Sequence, residues 1–480
     1  MEFEQGPREE GRLAVPPLSR RRFLVGSSLA GMGAVLAACG GTSSASPTGA
    51  ASAAPPSAAA TSGASTAPTA GASFALSRPL KVILANHTGF YAMVTPEWEQ
   101  RTGAKVEFTR EAFGPLPLKL TPAFESGGES WDVIYLWRAW VDLYEKYLTP
   151  LNEVGYTVDE SNMLPAAVEA SKSSSGKWLG LPSNIYTYVL YCNKKMFVDA
   201  GLKIPTTYDE FTAAAKQFTK GDQFGYVDGW APLYLFPKWC VWYHLNGGDL
   251  YGPNGEVKFD DPVAIKATQD MTALLPSMPK EVIESPWGIY DAEAKKVFLG
   301  GKAAMLIDYQ HIWYEARDPA LSALGDDPVV VTIIPGKGGS LPVSGGQFVG
   351  ECFGIAKTSP VKEAALDLIK HYSNAATQLG LLTKRTEIHT FDPSDESGFP
   401  SYITPYTDAS IPAGDKTIVD VTFKQQEYKG NRYGTRAGYQ KISDIVEAAV
   451  SASFHGADAA AEHKKAQAEI DAYLKANPGF

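Results

Sequence analysis

The folded part of the chain opens on LKVILA, Leu80–Ala85, an apolar run of strand length that passes into the loop sequence NHTG at residues 86–89. The runs VEFT at residues 106–109 and DVIYLW at residues 132–137 repeat this pattern. Stretches with helical periodicity separate these runs. Short apolar runs that alternate with helical segments predict an α/β architecture.

Local start and stop signals predict several helices. Thr95-Pro96 should open a helix that Gly103 closes, because proline suits the first helical turn and glycine the position after the last. Residues 207–210 (TYDE) form a capping-box sequence, and Asp261-Pro262 and Ser359-Pro360 each resemble a helix start. Further strands are predicted over residues 303–307 and 329–334, and further helices over residues 442–452 and 457–475.

The N-terminal residues 1–38 have the order of an export signal. Arg20 and Arg21 precede an apolar stretch at residues 23–38, which ends in small residues before Cys39. The stretch is shorter than the roughly 20 residues that a membrane-spanning helix needs. The arginine pair resembles a twin-arginine signal, with general secretion as the alternative. The sequence LAAC resembles a bacterial lipobox, in which Cys39 is lipidated; an ordinary cleaved signal with an incidental cysteine is the alternative.

Residues 39–77 contain no Asp, Glu, Lys or Arg and consist almost entirely of Ala, Ser, Thr, Gly and Pro. Such a segment has too little apolar surface to offset its ordering entropy, so a disordered tether is expected, and a mucin-like stalk has the same composition. The sequence therefore predicts an extracytoplasmic bacterial protein that is held to the outer face of the cell membrane by its lipid anchor only.

The composition excludes some partners and some chemistry. The net charge is −10, so a nucleic-acid partner is not expected. Cys192, Cys240 and Cys352 form no C-x-x-C pair and are interpreted as buried free thiols, with a single disulfide among them as the alternative. The sequence contains no catalytic or nucleotide-binding signature such as G-x-S-x-G or H-E-x-x-H, and its seven histidines are scattered. We therefore expect no enzyme, no cofactor and no metal.

The aromatic residues are suited to ligand binding. Indole and phenol rings stack on the C–H face of a sugar, while polar side chains bind its hydroxyl groups. Trp137 and Arg138 follow a predicted strand, and open α/β sheets bind ligands at the carboxyl ends of their strands. Six tryptophans fall into two groups along the chain: Trp131, Trp137 and Trp140, then Trp230, Trp239 and Trp242.

The order of several short motifs resembles the family-1 extracellular solute-binding proteins of ABC sugar importers. Each motif is degenerate, and their order over about 400 residues makes the resemblance specific. The matching segments are WDVI at 131–134, GLP at 180–182, LYCNKKMF at 190–197, AGL at 200–202, PTTYDEF at 205–211, LNGG at 245–248 and GKAAM at 301–305. The chain departs from the family at Cys192, where tyrosine is common, and at residues 310–312.

The resemblance implies two α/β lobes that are joined by crossing strands and close by a hinge around a ligand in the cleft. Lobe 1 would comprise residues 78–185 and 347–400, and lobe 2 residues 188–345 and 401–480, with residues 189–193 as one crossing. The implied function is capture of a mono- or oligosaccharide by a monomer and its delivery to the membrane permease of an ABC importer.

The resemblance and the ends of the predicted strands together suggest a set of ligand-binding residues. Gly345, Gly346 and Gln347 would bring backbone close to the ligand. The full set is Trp137, Arg138, Trp140, Tyr186, Trp230, Asp308, Tyr309, Trp313, Gly345, Gly346, Gln347, Asn86, His87 and Glu111.

Two other classes of function stay open from the sequence. The same fold could bind a polyamine, an anion or ferric iron; iron proteins use paired tyrosines, and Tyr186 and Tyr188 offer such a pair. A surface-tethered glycoside-active enzyme is the other alternative, because a glycosidase needs only two carboxylates, which have no sequence signature.

Overall fold

The structure, a computed structural model, describes residues 73–128, 131–231, 234–252, 256–281, 291–325, 327–337, 348–425 and 438–477. Helices and strands alternate in its first half, which confirms the α/β architecture. The strands are β1 Leu80–Ala85, β2 Val106–Glu111, β3 Val133–Trp137, β4 Gly180–Asn193, β5 Met305–Tyr309, β6 Val329–Thr332, β7 Phe348–Ile355 and β8 Phe399–Pro400.

Helices lie between the strands along the chain and after the last strand. Their bounds are α1 Gly89–Thr102, α2 Leu116–Glu125, α3 Arg138–Leu143, α4 Pro165–Ser171, α5 Lys194–Asp199, α6 Tyr208–Phe218, α7 Leu235–Leu245, α8 Pro262–Leu274, α9 Asp291–Leu299, α10 Ile312–Arg317, α11 Lys362–Tyr372, α12 Ala375–Thr383, α13 Arg385–Phe391, α14 Lys416–Lys424, α15 Tyr439–Phe454 and α16 Ala459–Ala476. Within the described ranges, no helix combines the length and the apolar character that a bilayer crossing needs.

Strand β4 joins the two sections of the sheet. The strands run in the order β2-β1-β3-β7-β4-β5, with β6 and β8 also paired to β4. The first half of β4, up to Thr187, pairs with β7 and β8, and the second half, from Tyr188, pairs with β5 and β6. β1 is parallel to both of its neighbours, whereas β4 is antiparallel to all of its partners. One continuous strand therefore carries the chain from one section to the other.

Buried amide side chains satisfy the backbone of β4, all fourteen residues of which are buried. Gln310 accepts a hydrogen bond from the Thr187 N–H at 2.9 Å and donates to the Ile185 carbonyl at 2.9 Å. Gln378 donates to the Pro182 carbonyl at 2.9 Å, and Gln425 to the Tyr188 carbonyl at 2.7 Å. Unpaired buried peptide groups are costly, so these amides stabilise the strand where its neighbours change.

Several of the predicted helix caps are confirmed. Thr207 and Glu210 form the reciprocal bonds of a capping box at the start of α6. The Asp261 side chain accepts a bond from the Ala264 N–H at 2.6 Å, and α8 begins with Pro262. Gly103 ends α1 with φ at 76°, a left-handed conformation that glycine adopts without strain.

The predicted start of α1 was wrong. The helix begins at Gly89, and Pro96 lies inside it. The loop before it is shorter than expected because Thr88 folds back on the strand, its hydroxyl donating to the Ala85 carbonyl at 2.7 Å. Helix α11 likewise begins at Lys362, two residues after Pro360. Proline is compatible with the first helical turn but does not fix where a helix begins.

The cysteine interpretation is confirmed for the three cysteines in the described part of the chain. Cys192, Cys240 and Cys352 are buried thiols and form no disulfide. Burial in apolar surroundings raises the pKa of the Cys192 and Cys352 thiols far above its ordinary value, because it disfavours the thiolate.

Candidate ligand-binding site

Aromatic rings pack together where β3 ends and α3 begins. The ring centroids of Trp137 and Trp140 lie 6.0 Å apart, edge to face. Phe113, from the loop after β2, lies 5.7 Å from Trp137 and stacks on Trp140 at 5.0 Å. Trp137 is partly exposed, whereas Trp140 is 8% exposed. Because β1, β2 and β3 are parallel, their carboxyl ends bring these loops to the same edge of the sheet.

The cluster continues through His87 to the crossing strand. His87 follows β1, and its ring lies 5.8 Å from Phe113, 5.9 Å from Tyr135 and 6.1 Å from Tyr186. Tyr186 lies on β4, in the half that pairs with β7. The loop after the first strand is thus in contact with the strand that joins the two sections.

Tyrosines from the second section complete the cluster. The Tyr309 ring, at the end of β5, lies 5.3 Å from Tyr186 and stacks on Tyr188 at 4.3 Å. Tyr439, at the start of α15, meets Trp137 edge to face at 5.3 Å. We call the whole set the aromatic cluster; its members are His87, Phe113, Tyr135, Trp137, Trp140, Tyr186, Tyr188, Tyr309 and Tyr439.

A buried carboxylate lies beneath the aromatic cluster. Glu351 of β7 is 3% exposed and accepts hydrogen bonds from the Tyr135 hydroxyl and from Asn184 Nδ2, the latter at 2.8 Å. His87 Nε2 lies 3.3 Å from Glu351 Oε1. Burial by itself lowers the pKa of His87, but the hydrogen bond and charge of Glu351 outweigh it, so that the pKa is raised.

The Tyr186 hydroxyl has no hydrogen-bond partner among the described residues, although Tyr186 is only 7% exposed. Burial, followed by the nearby charge of Glu351, raises its pKa well above the ordinary value, so the phenol stays protonated. A buried hydroxyl without a partner costs roughly 1–3 kcal/mol. A hydroxyl of this kind among aromatic rings is available to bond a ligand.

A second, charged cluster lies beside Tyr309. Lys295 Nζ lies 2.9 Å from Glu315 Oε1 and 2.9 Å from Glu396 Oε1, and His311 Nε2 lies 3.7 Å from Glu315. Ligand atoms of His311, Glu315 and Glu396 come within 4.8 Å of one another, as in a metal site. The Lys295 ammonium already pairs with both carboxylates, so this arrangement favours an internal ion pair over a bound cation.

The three acidic and imidazole side chains of this charged cluster have different pKa values. Burial raises the pKa of Glu315 to about 7, an effect that the Lys295 charge only partly offsets. Burial lowers the pKa of His311 to about 3. Burial would also raise the pKa of Glu396, but the charges of His311 and Lys295 dominate and lower it to about 2. Proton exchange near neutral pH is therefore expected at Glu315.

Two of the tryptophans predicted to bind ligand point elsewhere. Trp230 is 3% exposed, donates from Nε1 to Asp228 Oδ2 at 3.0 Å and stacks on Phe454 at 5.1 Å. Trp313 is 4% exposed and donates from Nε1 to Asp415 Oδ1 at 2.9 Å. Both indole N–H groups already have carboxylate partners within the protein.

The predicted polar residues also have partners within the protein. Arg138 pairs with Asp142 at 3.0 Å, and Glu111 pairs with Lys119 at 2.7 Å. Asp308 is 2% exposed and accepts from the Tyr309 N–H at 2.7 Å. Burial raises the pKa of Asp308 to about 6 although the nearby Lys238 opposes the shift. The side chain of Asn86 is exposed at the end of β1.

The structure thus brings together five residues of the predicted set and adds others. Those brought together are His87, Trp137, Trp140, Tyr186 and Tyr309. Gly345, Gly346 and Gln347, together with Cys39, Arg20 and Arg21, lie outside the described residues. The predictions missed Phe113, Tyr135, Asn184, Glu351 and Tyr439. The sequence offered a signal only for Phe113, which follows a strand, and for Asn184, which follows the GLP motif.

The chain matches the family model of the bacterial extracellular solute-binding proteins over residues 84–379, more than half of its length. The chain belongs to this family. Membership places it outside the bacterial cytoplasm, in a family of binding proteins, and the resemblance drawn from the motifs is confirmed.

Curated relatives match over a shorter region. The sn-glycerol-3-phosphate-binding periplasmic protein UgpB of Brucella abortus is 28% identical over 167 residues, 33% of this chain and 37% of that protein. UgpB of Yersinia pseudotuberculosis is 32% identical over 153 residues, 30% of this chain and 34% of that protein. The match therefore spans little more than a third of these relatives.

Solved structures match over most of the chain. An ABC transporter solute-binding protein of Agrobacterium radiobacter, in complex with ribitol, has a TM-score of 0.66 at 24% identity, over 82% of this chain and 98% of that one. Maltose-bound MalE3 of T. maritima has a TM-score of 0.70 at 20% identity, over 82% of this chain and 100% of that one. These similarities establish the two-lobed α/β fold of the periplasmic binding proteins.

Proposed function

We propose that this protein is the substrate-binding component of an ABC importer that captures a neutral sugar or polyol between its lobes and delivers it to a membrane permease. The observation that carries the proposal is the aromatic cluster, which joins side chains from both sections of the sheet around the Tyr186 hydroxyl. Flat rings can stack on the C–H face of a sugar while that hydroxyl bonds its rim.

The similar proteins support a ligand of this class. The solved neighbours hold ribitol, maltose, D-mannitol and α-D-tagatose, all uncharged polyhydroxyl compounds. The division into lobe 1, residues 78–185 and 347–400, and lobe 2, residues 188–345 and 401–480, belongs to this proposal. The change of partners along β4 between Thr187 and Tyr188 supports it, since a hinge needs strands that cross between lobes.

Charged ligands fit the described residues less well. A phosphate ester, as in the name of the UgpB relatives, would need cations, but Arg138 is paired with Asp142 and Lys295 with Glu315 and Glu396. Ferric iron would need tyrosinates, and burial beside Glu351 keeps Tyr186 protonated. A polyamine would need available carboxylates, whereas Glu351 already accepts bonds from three side chains.

The test combines ligand screening with a variant that separates binding from folding. Thermal unfolding is measured with ribitol, D-mannitol, maltose, sn-glycerol 3-phosphate, spermidine and Fe³⁺; a ligand at a hundred times its Kd adds about 2.7 kcal/mol of stability. A shift with sugars or polyols alone supports the proposal. A shift with only the phosphate ester, spermidine or iron refutes the proposed ligand class, and turnover of a chromogenic glycoside would favour the enzyme alternative.

Tyr186→Phe is the matching variant. It removes a buried hydroxyl with no described partner, so stability should rise, by up to roughly 1–3 kcal/mol, while the Kd of the ligand should rise by about fivefold or more. Tyr402→Phe is the control, because the Tyr402 hydroxyl donates to the Ser373 carbonyl at 2.7 Å. The control should lose about 1 kcal/mol of stability and keep its affinity. Unchanged affinity in Tyr186→Phe would exclude the Tyr186 hydroxyl as a ligand contact.

The membrane attachment is part of the same proposal. We infer that Cys39 carries a lipid and that residues 39–77 tether the binding domain to the outer face of the membrane, after export that depends on Arg20 and Arg21. Cys39→Ser should release the protein from membranes and abolish labelling by a palmitate analogue. Replacing both arginines by lysine should block twin-arginine export; normal export of that variant would favour general secretion.

A further inference from the structure

Glu351 connects three separate segments beneath the aromatic cluster. Its Oε1 accepts from the Tyr135 hydroxyl on β3 and lies 3.3 Å from His87 Nε2 in the loop after β1. Its Oε2 accepts from Asn184 Nδ2 on β4 at 2.8 Å. Because the carboxylate is 3% exposed, these side chains replace most of its hydration.

His87 is the basic side chain that faces this anion. Among the described residues, it is the ion-pair partner that lies within 4 Å of Glu351. The other titratable groups near His87 are Tyr135, whose hydroxyl lies 3.3 Å from Nε2, Tyr186, Asp395, Glu396 and His311. Burial lowers the pKa of His311 to about 3, so His311 is neutral near pH 7, and the remaining charged groups are acidic and favour the imidazolium form of His87.

His87 links the buried Glu351 carboxylate to the partly exposed side of the aromatic cluster. Its side chain is 20% exposed and its ring contacts Phe113 and Tyr186. With Nε2 directed at Glu351, the second ring nitrogen, Nδ1, is left for other contacts.

We infer that Glu351 is a positioning residue: its buried carboxylate holds His87, Tyr135 and Asn184 in the arrangement that a ligand meets, and it holds His87 so that Nδ1 addresses a ligand hydroxyl. The inference rests on the proposed function, since it takes the aromatic cluster as the ligand site. In the imidazolium, Nδ1–H donates to the ligand. In the neutral ring, whose Nε2–H donates to Glu351, Nδ1 can only accept.

This arrangement makes ligand capture depend on pH. Hydrogen bonds that involve a charged group are stronger than neutral ones, so affinity should be greater when His87 is protonated. In the wild type, affinity should therefore fall as pH rises through the raised pKa of His87. Removing the charge of Glu351 should move this fall to lower pH.

The test follows His87 by NMR in the full-length protein with ring-labelled histidine, the signal being assigned through His87→Gln. In Glu351→Gln, the titration midpoint of His87 should fall by about one unit or more, because one unit corresponds to the loss of a single charge-assisted contact. The Kd for maltose, D-mannitol and ribitol should rise by about tenfold at pH 6. Tyr402→Phe, which removes a hydrogen bond to the Ser373 carbonyl, should leave the midpoint unchanged.

The outcomes separate this inference from the proposed function. An unchanged His87 midpoint in Glu351→Gln, or a lowered midpoint with unchanged affinity, overturns the positioning role. If none of the probes binds the wild type, the proposed function fails while the NMR titration still decides whether Glu351 controls His87. If Glu351→Gln does not fold, Glu351→Asp is the second variant. It keeps the charge on a shorter side chain, which places the carboxylate farther from His87. The titration midpoint of His87 should then fall by a smaller amount.

Discussion

We expect the protein to lose substantial folding stability when the buried ion pair between Asp228 and Lys238, in the second section of the sheet, is broken. The two side chains are 0% and 1% exposed, and Lys238 Nζ lies 2.7 Å from Asp228 Oδ1. Asp228 also accepts from Tyr226 at 2.5 Å, from the Gly229 N–H at 2.9 Å and from Trp230 at 3.0 Å. Asp228→Asn removes the negative charge with little change of shape.

The loss of folding stability in Asp228→Asn can be estimated from the contacts that Lys238 would keep. Removing one partner of a buried pair typically costs about 3–5 kcal/mol, because the other charge is left in a medium of low polarity. Lys238 would keep its bond to the Ile307 carbonyl at 2.7 Å, its position 4.2 Å above the Tyr188 ring and the nearby carboxylate of Asp308, which together stabilise a cation. The expected loss is therefore near the lower limit, about 3 kcal/mol.

Urea unfolding followed by tryptophan fluorescence measures this loss. The matched control is Asp199→Asn, because the pair of Lys195 and Asp199 has side chains that are 75% and 61% exposed, and exposed pairs contribute less than about 1 kcal/mol. The double variant Asp228→Asn, Lys238→Met should recover part of the loss, since it removes the stranded charge. Equal losses in Asp228→Asn and Asp199→Asn would refute the reasoning.

Two further predictions concern ionisation. Because burial raises the folded-state pKa of Glu315 to about 7, the native state binds its proton more tightly than the unfolded state, and this carboxyl costs the wild type stability as pH rises from about 4.5 to about 7. Glu315→Gln should therefore gain up to roughly 3 kcal/mol relative to the wild type across that window in urea titrations, and a constant difference would contradict the shift. Because burial raises the pKa of Cys192 and Cys352, Ellman's reagent should not modify either thiol until the protein unfolds, and labelling of either thiol in the native protein would contradict their burial.

Short local sequence motifs predicted the helices and strands well. LKVILA forms β1 over Leu80–Ala85, and the capping box at Thr207 and the cap at Asp261 are both present. Each depends on backbone contacts between near neighbours, which the local sequence determines. The start of α1 failed because it depends on how Thr88 folds back on β1 rather than on the proline.

The candidate site was less predictable because its contacts join distant parts of the chain. Glu351 meets Tyr135 across 216 positions and His87 across 264. A carboxylate inside an apolar strand gives no indication of such partners. Trp230 and Trp313 illustrate the converse: an indole can stack on a sugar, but both of these side chains are buried and their N–H groups donate to Asp228 and Asp415.

The geometry of β4 explains how one strand organises the whole site. Alternate side chains of a strand lie on the same face, so Asn184, Tyr186 and Tyr188 form one row. Asn184 bonds Glu351 in the first section, Tyr186 lies between His87 and Tyr309, and Tyr188 stacks on Tyr309 in the second. Because this row crosses the point where the partners of β4 change, rotation of one section against the other must alter the spacing of these rings. The same strand that would act as a hinge therefore also carries side chains of the candidate site, so the proposed ligand contact at Tyr186 would be physically linked to the relative position of the two sections.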